Sequence, residues 1–267
     1  MSTHDTPAAR LTDALRTARK DRVGLVAFLT AGYPSRDKFR EHLTAIAQHA
    51  DVVEVGVPFT DPMADGVTIQ RSSYAALSQG VTLKWILDEL AALKGSLAAP
   101  LVLMGYFNPL LAFGLEKLAT RAADAGIAGF IVPDLPPEES AEFERALDAQ
   151  GLALIRMVTP ITPPDRLARI CRASTGFVYA VTMTGTTGAN ASGGGVALPA
   201  ETLDYLRRVR ELSPVPVCAG FGIRSPAQVR LLDAHVDGVI VGSALVEVLE
   251  NGQSPATLLT SLRAAPA

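Results

Sequence analysis

The sequence of 267 residues has few of the features that mark several large protein classes. Its two cysteines, Cys171 and Cys218, are far apart and show no C-x-x-C spacing. This argues against a disulfide-stapled scaffold and a cysteine-based zinc site, and it predicts two reduced, buried thiols. The histidines are dispersed and resemble surface or terminal residues, so we expect no metal centre. They are His4, His42, His49 and His235.

Long apolar runs and a strong excess of one charge are also missing. No run reaches the roughly 18 apolar residues that a membrane span requires, so we expect no membrane partner. The formal net charge is only −3 and basic residues are scattered, which argues against nucleic-acid binding. The first ten residues, MSTHDTPAAR, lack the apolar core of an export signal. We therefore expect a soluble, cytoplasmic protein.

Short apolar runs recur along the chain, and a stretch of helical periodicity follows each one. Their nearly continuous apolar character is typical of parallel strands that are covered on both faces. The expected strands span 24–30, 51–57, 100–106, 129–133, 152–158, 177–182, 215–219 and 238–241.

Eight such βα units predict an α/β fold, a closed (β/α)8 TIM barrel that forms a single domain over residues 1–267. An extra N-terminal helix is expected near 9–20, and residues 1–8 are expected to be frayed. The alternative is an open, doubly wound sheet. It is less favoured because no G-x-G-x-x-G fingerprint follows an early strand.

The stretch 51–66, DVVEVGVPFTDPMADG, places a glutamate inside a strand that should be buried. A buried carboxylate is costly unless something compensates. Because side chains alternate along a strand, Glu54 shares a face with Val52 and Gly56. If that face points into the barrel, burial should raise the pKa of Glu54 toward neutrality, as a general acid/base requires. The alternative is a glutamate that backbone donors or an ion pair satisfy.

Asp65 also has two interpretations. It precedes Gly66 and could cap a helix that begins near Thr68, or it could anchor a substrate. Beside Glu54 the anchoring role is favoured, whereas Asp61 is more typical of a turn or a cap. Glu54 and Asp65 are therefore the predicted catalytic residues.

Active sites of (β/α)8 barrels lie at the C-terminal ends of the strands. No lysine ends a strand, so a Schiff-base aldolase is not expected. Besides the two acids, the candidate residues at these ends are Thr30, Tyr106, Asp134, Thr182, Gly220, Gly222 and Gly242.

Three turns of small residues, at 184–189, 220–224 and 242–244, follow strands six to eight. Glycine lets backbone N–H groups approach an anion, and a helix that begins after Ser243 would point its N-terminus at the same place. Glycine at a strand end is also ordinary turn chemistry. Three such turns on adjacent strands nevertheless predict a phosphate site. The substrate would carry a phosphate at one end and undergo acid–base cleavage or isomerisation at the other.

Four motifs together resemble the tryptophan synthase alpha chain family. They are FLTAGYP at 28–34, VEVGVPFTDPMADG at 53–66, AGFGI at 219–223 and VGSA at 241–244. The resemblance implies a (β/α)8 barrel and a lyase of L-tryptophan biosynthesis. Such a lyase cleaves indole-3-glycerol phosphate to indole and D-glyceraldehyde 3-phosphate. It also implies no cofactor in this chain, and a pyridoxal-phosphate beta chain as partner in an alpha2beta2 complex.

The resemblance assigns roles to individual residues as well. Glu54 would protonate indole C3 and help to remove the side-chain hydroxyl proton. Asp65 would bind the indole N–H and stabilise the positive charge that develops there. The implied substrate-binding residues are Phe28, Thr30, Tyr106, Tyr179, Thr187, Gly188, Gly222, Ile240, Gly242 and Ser243.

The loop after the sixth strand departs from the family pattern. Thr186 stands where the family often has valine, and Asn190 stands where it often has a charged residue. These departures bear on loop closure and on coupling to a partner.

Two alternatives remain open at this point. The chain could be a free-standing indole-3-glycerol-phosphate lyase that releases indole without a beta chain. It could also be a barrel subunit that mainly activates its partner, although the presence of both carboxylates argues against a purely structural role.

Overall fold

Eight parallel strands form a closed barrel in which each strand pairs with its neighbours in sequence and the last returns to the first. The computed structural model describes residues 6–182, 198–220 and 222–263. The predicted TIM barrel is thereby confirmed. The strands are β1 (Gly24–Thr30), β2 (Val52–Gly56), β3 (Leu101–Met104), β4 (Ile127–Ile131), β5 (Ala153–Val158), β6 (Val178–Val181), β7 (Val217–Gly220) and β8 (Gly238–Val241).

Helices surround this barrel, and two short 3-10 turns at Arg36–Lys38 and Pro137–Glu139 precede α2 and α7. Within the described ranges the α-helices are α1 (Pro7–Ala18), α2 (Phe39–Ala47), α3 (Val67–Ser78), α4 (Leu83–Ala92), α5 (Phe107–Phe113), α6 (Leu115–Asp124), α7 (Ala141–Asp148), α8 (Pro164–Ala173), α9 (Ala200–Leu212), α10 (Pro226–Asp233), α11 (Ser243–Glu250) and α12 (Pro255–Arg263). No helix in those ranges is long and apolar enough to cross a membrane.

The N-terminal helix begins earlier than the sequence analysis predicts. The Thr6 hydroxyl accepts a hydrogen bond from the Ala9 N–H at 3.1 Å, and Pro7 occupies the first helical position. A proline at this position costs no helical hydrogen bond, because the first N–H groups of a helix have no partner within it. The expectation of fraying is therefore wrong for residues 6–8, while residues 1–5 lie outside the described ranges.

The α5 helix was not predicted, because Asn108 and Pro109 resemble the end of a strand followed by a break. Pro109 lies in the first turn of α5, where a missing N–H is tolerated. The Asp134 carboxylate accepts a hydrogen bond from the Phe107 N–H at 2.9 Å. Asp134 therefore supports the start of this helix from the neighbouring β4 loop.

The core has two layers separated by the sheet. Val53 and Val55 point outward and pack with the helices, whereas Val52 belongs to the cluster inside the barrel. Leu11 and Leu15 of α1 are fully buried in that inner cluster. The extra helix thus closes the N-terminal end of the barrel, and the interior is reached from the opposite end.

Candidate active site

Glu54 lies at the centre of β2 and faces the barrel interior, as the alternation of side chains predicts. It is 1% exposed, and its Oε2 has no hydrogen-bond partner among the described residues. Burial, helped by the negative charge of Asp65, raises the pKa of Glu54 to about 8. No ion pair within the described residues involves this carboxyl group. The interpretation of Glu54 as a satisfied structural glutamate therefore lacks support.

Asp65 lies in the loop between β2 and α3, which we call the acid loop (residues 57–66). Gly66 is the N-cap residue of α3, and no side chain caps this helix. The capping interpretation of Asp65 is therefore wrong. The Gln70 side-chain amide donates to the Asp65 backbone carbonyl at 2.9 Å and holds the loop against the helix. Burial raises the pKa of Asp65 to about 6, although a hydrogen bond from Tyr106 acts in the opposite direction.

Tyr106 anchors the acid loop from the end of β3. Its hydroxyl accepts a hydrogen bond from the Ala64 N–H at 2.9 Å. Its ring stacks on Phe59, with ring centroids 5.2 Å apart. Burial and the nearby Asp65 carboxyl group raise the pKa of Tyr106, so its hydroxyl stays protonated and can donate to Asp65. The structure thus gives Tyr106 a contact with the second carboxylate, although its side chain does not line the cleft itself.

Both carboxyl groups open into one cleft at the C-terminal end of the barrel. The cleft encloses a volume of about 80 Å³. Its lining is mostly apolar, and among the described residues the two acids are its only carboxyl groups. The lining residues are Phe28, Glu54, Ala64, Asp65, Ile69, Met104, Met157, Tyr179, Gly222, Ile240, Gly242 and Ser243.

Four lining residues were not predicted from the sequence: Ala64, Ile69, Met104 and Met157. The methionines could have been found by the same alternation that identifies Glu54. Met104 is two residues after Val102 and Met157 two after Ile155, and both of these earlier residues point into the barrel.

Some predicted residues lie elsewhere. Thr30 is fully buried, and its hydroxyl lies 2.5 Å from the Ser72 hydroxyl of α3, so it packs behind the cleft. The Thr182 hydroxyl donates to the Gly220 carbonyl at 3.4 Å and joins β6 to β7. Thr187 and Gly188 lie outside the described residues.

The turns after β7 and β8, where the sequence predicts a phosphate site, both reach the cleft. Gly222 has a φ of +63°, a conformation that favours glycine, and a Cβ atom there would meet none of the described residues within 4 Å. Gly242 is the N-cap residue of α11, and Ser243 is its first helical residue. The Ser243 N–H therefore lies beside the cleft at the start of α11, where a helix N–H has no intrahelical partner.

Gly220 shows why a small residue ends β7. A Cβ atom at this position would lie 2.3 Å from the Tyr179 hydroxyl and 2.4 Å from its ring. The glycine therefore leaves room for Tyr179, which is buried at the base of the cleft near the two acids.

Comparisons with known proteins agree with this geometry. A family profile described as tryptophan synthase alpha chain matches residues 15–266. The chain is 45% identical over 254 residues to the tryptophan synthase alpha chain of Nitratidesulfovibrio vulgaris (strain DP4), covering 94% of this chain and 97% of the relative. Identity to that of Roseiflexus sp. (strain RS-1) is 47% over 234 residues, with coverages of 86% and 87%.

Solved structures give the same result. The structure of Mycobacterium tuberculosis tryptophan synthase in space group F222 matches with a TM-score of 0.86 at 36% identity, covering 97% of this chain and 98% of that chain. Tryptophan synthase subunit alpha from Legionella pneumophila str. Paris matches with a TM-score of 0.83 at 30% identity, with coverages of 96% and 97%. The resemblance drawn from the four motifs is confirmed, and the chain belongs to the tryptophan synthase alpha chain family.

Proposed function

We propose that Glu54 and Asp65 carry out the reaction of this family in the cleft at the C-terminal end of the barrel. The protein is a carbon–carbon lyase of tryptophan biosynthesis that cleaves indole-3-glycerol phosphate. The observation that carries the assignment of residues is the buried, unpartnered carboxyl group of Glu54 beside Asp65. Two carboxyl groups whose surroundings separate their pKa values suit an acid and an ionised partner.

Glu54 acts first as an acid. Its raised pKa keeps it protonated at neutral pH, so it can donate a proton to indole C3. The ring then carries a positive charge that is centred on its nitrogen. Ionised Asp65 accepts a hydrogen bond from the ring N–H and stabilises that charge.

Glu54, now a carboxylate, acts next as a base. It takes the proton from the hydroxyl group on the carbon attached to C3. The bond between this carbon and C3 breaks, its electron pair returns to the ring, and the carbon becomes the aldehyde of glyceraldehyde 3-phosphate. Indole leaves with its aromatic ring restored, and Glu54 is again protonated.

The two ends of the substrate need different surroundings. The aromatic end matches the apolar side chains of Phe28, Met104 and Ile240 beside the acids. The phosphate matches the backbone N–H groups at Gly222 and at the start of α11 with Ser243. Thr187 and Gly188 remain predicted contacts of the same substrate.

The activity should depend on pH through both acids. We expect kcat to rise as pH increases through about 6, because Asp65 must be ionised, and to fall above about 8, because Glu54 must be protonated. The measurement is the pH–rate profile of indole release from pH 5 to pH 9.5. A profile that is flat over this range would contradict the assignment.

Asp65 and the phosphate ester of the substrate both titrate near pH 6, so either can cause the fall in rate at acidic pH, the acidic limb of the profile. One variant distinguishes these two sources. In Tyr106→Phe the hydrogen bond that lowers the pKa of Asp65 is lost. The acidic limb should therefore move to higher pH while the alkaline limb stays in place. A limb that arises from the substrate phosphate would not move.

For the partner, we propose a tryptophan synthase beta chain that carries the pyridoxal phosphate, in an alpha2beta2 complex in the cytoplasm, with no cofactor in this chain. Exposed apolar side chains support a docking surface around the cleft. Met63 in the acid loop is 85% exposed, Leu111 in α5 is 49% exposed, and Ile161 after β5 is 79% exposed. Apolar residues gathered at one face of a protein often mark a protein interface.

Indole release by the purified chain, measured with and without the beta chain, tests this proposal. We expect slow cleavage by the chain alone and a rate increase of about tenfold or more with the partner, because closure of the site excludes water and aligns the acids. Fast turnover that the beta chain does not change would instead identify a free-standing lyase. No turnover under either condition would contradict the function itself.

A further inference from the structure

A hydrogen-bonded bridge joins the two ends of the cleft through Glu247. The Arg224 guanidinium donates two hydrogen bonds to the Glu247 carboxylate, Nη1 to Oε2 at 2.6 Å and Nη2 to Oε1 at 2.9 Å. The Thr68 hydroxyl donates to Oε1 of the same carboxylate at 3.3 Å. The bridge thus connects the turn after β7, the helix α11 after β8, and the helix α3 that follows the acid loop.

The Arg224 end of the bridge is tied to the phosphate end of the cleft. The Gln228 side chain accepts a hydrogen bond from the Arg224 N–H at 2.8 Å and donates one to the Gly222 carbonyl at 3.1 Å. The turn from Gly222 to Arg224, which we call the phosphate turn, is therefore held as one unit. A change in where Arg224 is anchored would move Gly222, whose backbone lines the cleft.

Glu247 and Thr68 also lie close in sequence to residues of the cleft. Glu247 lies four residues after Ser243, one turn along the same face of α11. Thr68 is in the first turn of α3, three residues after Asp65. Glu247 therefore contacts elements that carry the phosphate contacts on one side and the second carboxylate on the other.

The bridge is suited to hold at the pH where the enzyme works. The hydrogen bonds from Arg224 lower the pKa of Glu247, so the carboxylate is ionised throughout the neutral range. Both side chains are about one-third exposed, at 36% for Arg224 and 35% for Glu247. A bidentate pair of this kind fixes geometry more than it adds stability, because water screens its charges.

We propose that Glu247 is a positioning residue that, through Arg224 and Thr68, sets the phosphate turn and the acid loop at the spacing the substrate requires. This inference rests on the proposed function of the cleft. The hydrogen bonds to Arg224 act on the phosphate turn, and the hydrogen bond from Thr68 acts on the acid loop that precedes α3. These two arms of the bridge therefore affect different kinetic constants. Displacements of about 1 Å at a site can change rates by up to roughly a hundredfold, so small shifts of these anchors are sufficient.

The two arms can be separated by substitution. For Arg224→Ala and for Glu247→Ala we expect KM for indole-3-glycerol phosphate and the Kd for sn-glycerol 3-phosphate to rise about tenfold. In phosphate affinity the double variant should lose no more than either single variant, because both substitutions break the same Arg224–Glu247 pair. For Thr68→Val we expect kcat to fall about fivefold, with the Kd for sn-glycerol 3-phosphate unchanged within about twofold. The exchange Arg224→Glu with Glu247→Arg should restore most of the phosphate affinity.

A second ion pair supplies a matched control. Arg71 of α3 and Glu250 of α11 join the same two helices at 2.5 Å, but within the described ranges neither residue lines the cleft or hydrogen-bonds to the phosphate turn. Arg71→Ala should therefore leave KM, kcat and phosphate binding unchanged within about twofold.

Equal losses in Arg71→Ala and Glu247→Ala would overturn the inference, because they would show only a general tie between helices. Wild-type phosphate affinity in Arg224→Ala would overturn it too. Failure of the wild-type chain to cleave substrate or to bind sn-glycerol 3-phosphate would instead contradict the proposed function.

Discussion

Replacing Glu54 with glutamine is expected to lower kcat for indole release by about 10³-fold or more. An amide has nearly the same shape as a carboxylic acid, but it can neither donate a proton to indole C3 nor accept one from the substrate hydroxyl. The phosphate contacts lie at the other end of the cleft, so the Kd for sn-glycerol 3-phosphate should stay within about threefold of wild type. Steady-state kinetics and calorimetric titration measure the two effects.

The matched control is Glu139→Gln, the same chemical change at an exposed glutamate in the loop after β4. It should behave as wild type in both measurements. Near-normal turnover by Glu54→Gln, or an equal loss in Glu139→Gln, would remove Glu54 from the acid/base role.

The same variant reports on the raised pKa independently of activity. The Glu54 pKa is about 8 in the folded protein and about 4.5 in the unfolded chain, so the native state holds the extra proton between these values. The contribution of the protonated group to stability is complete below about pH 4.5 and is lost as pH rises through about 8. Glu54→Gln should therefore gain stability relative to wild type between pH 5 and pH 8, on the order of a few kcal/mol in urea unfolding. A difference that is independent of pH would contradict the shift.

Replacing Asp65 with asparagine is expected to lower kcat by about 10²-fold to 10³-fold. The amide can still accept a hydrogen bond from the ring N–H, but it carries no charge to stabilise the protonated indole. Because the fold of the acid loop depends on backbone contacts and on Tyr106, the loop should keep its conformation. The loss should therefore appear in kcat, with phosphate affinity close to wild type.

Asp61→Asn is the control for this change, since Asp61 is an exposed aspartate of the same loop whose carboxylate accepts a hydrogen bond from the adjacent Thr60 hydroxyl. We expect it to retain wild-type kcat in the isolated chain. If Asp65→Asn also retains wild-type kcat, the charge of Asp65 has no part in the reaction.

Local patterns in the sequence were sufficient for the barrel and for one catalytic candidate. Each strand is a nearly continuous apolar run, and the alternation along 52–56 placed Glu54 on the same face as Val52, which lies inside the barrel. The same patterns were misleading at Asn108-Pro109, because a proline breaks a helix interior but is tolerated in a first turn. The same alternation places Met104 and Met157 on the inner face, but neither residue type carries chemistry that would single it out as a cleft residue.

The fold class and the family follow from the sequence alone, and the acidic pair is a prediction from it, because all three depend on side-chain periodicity and on residue types at motif positions. The surroundings of each acid, by contrast, depend on the tertiary structure. These surroundings include the cap of α3, the burial of both acids and the contacts of Tyr106. The hydrogen bond from the Ala64 N–H to the Tyr106 hydroxyl joins the acid loop to the end of β3 across 42 residues of chain. The bridge from Thr68 to Glu247 spans 179 residues. Such contacts depend on which strands become neighbours when the barrel closes, and no local pattern of residues encodes a distance across that closure.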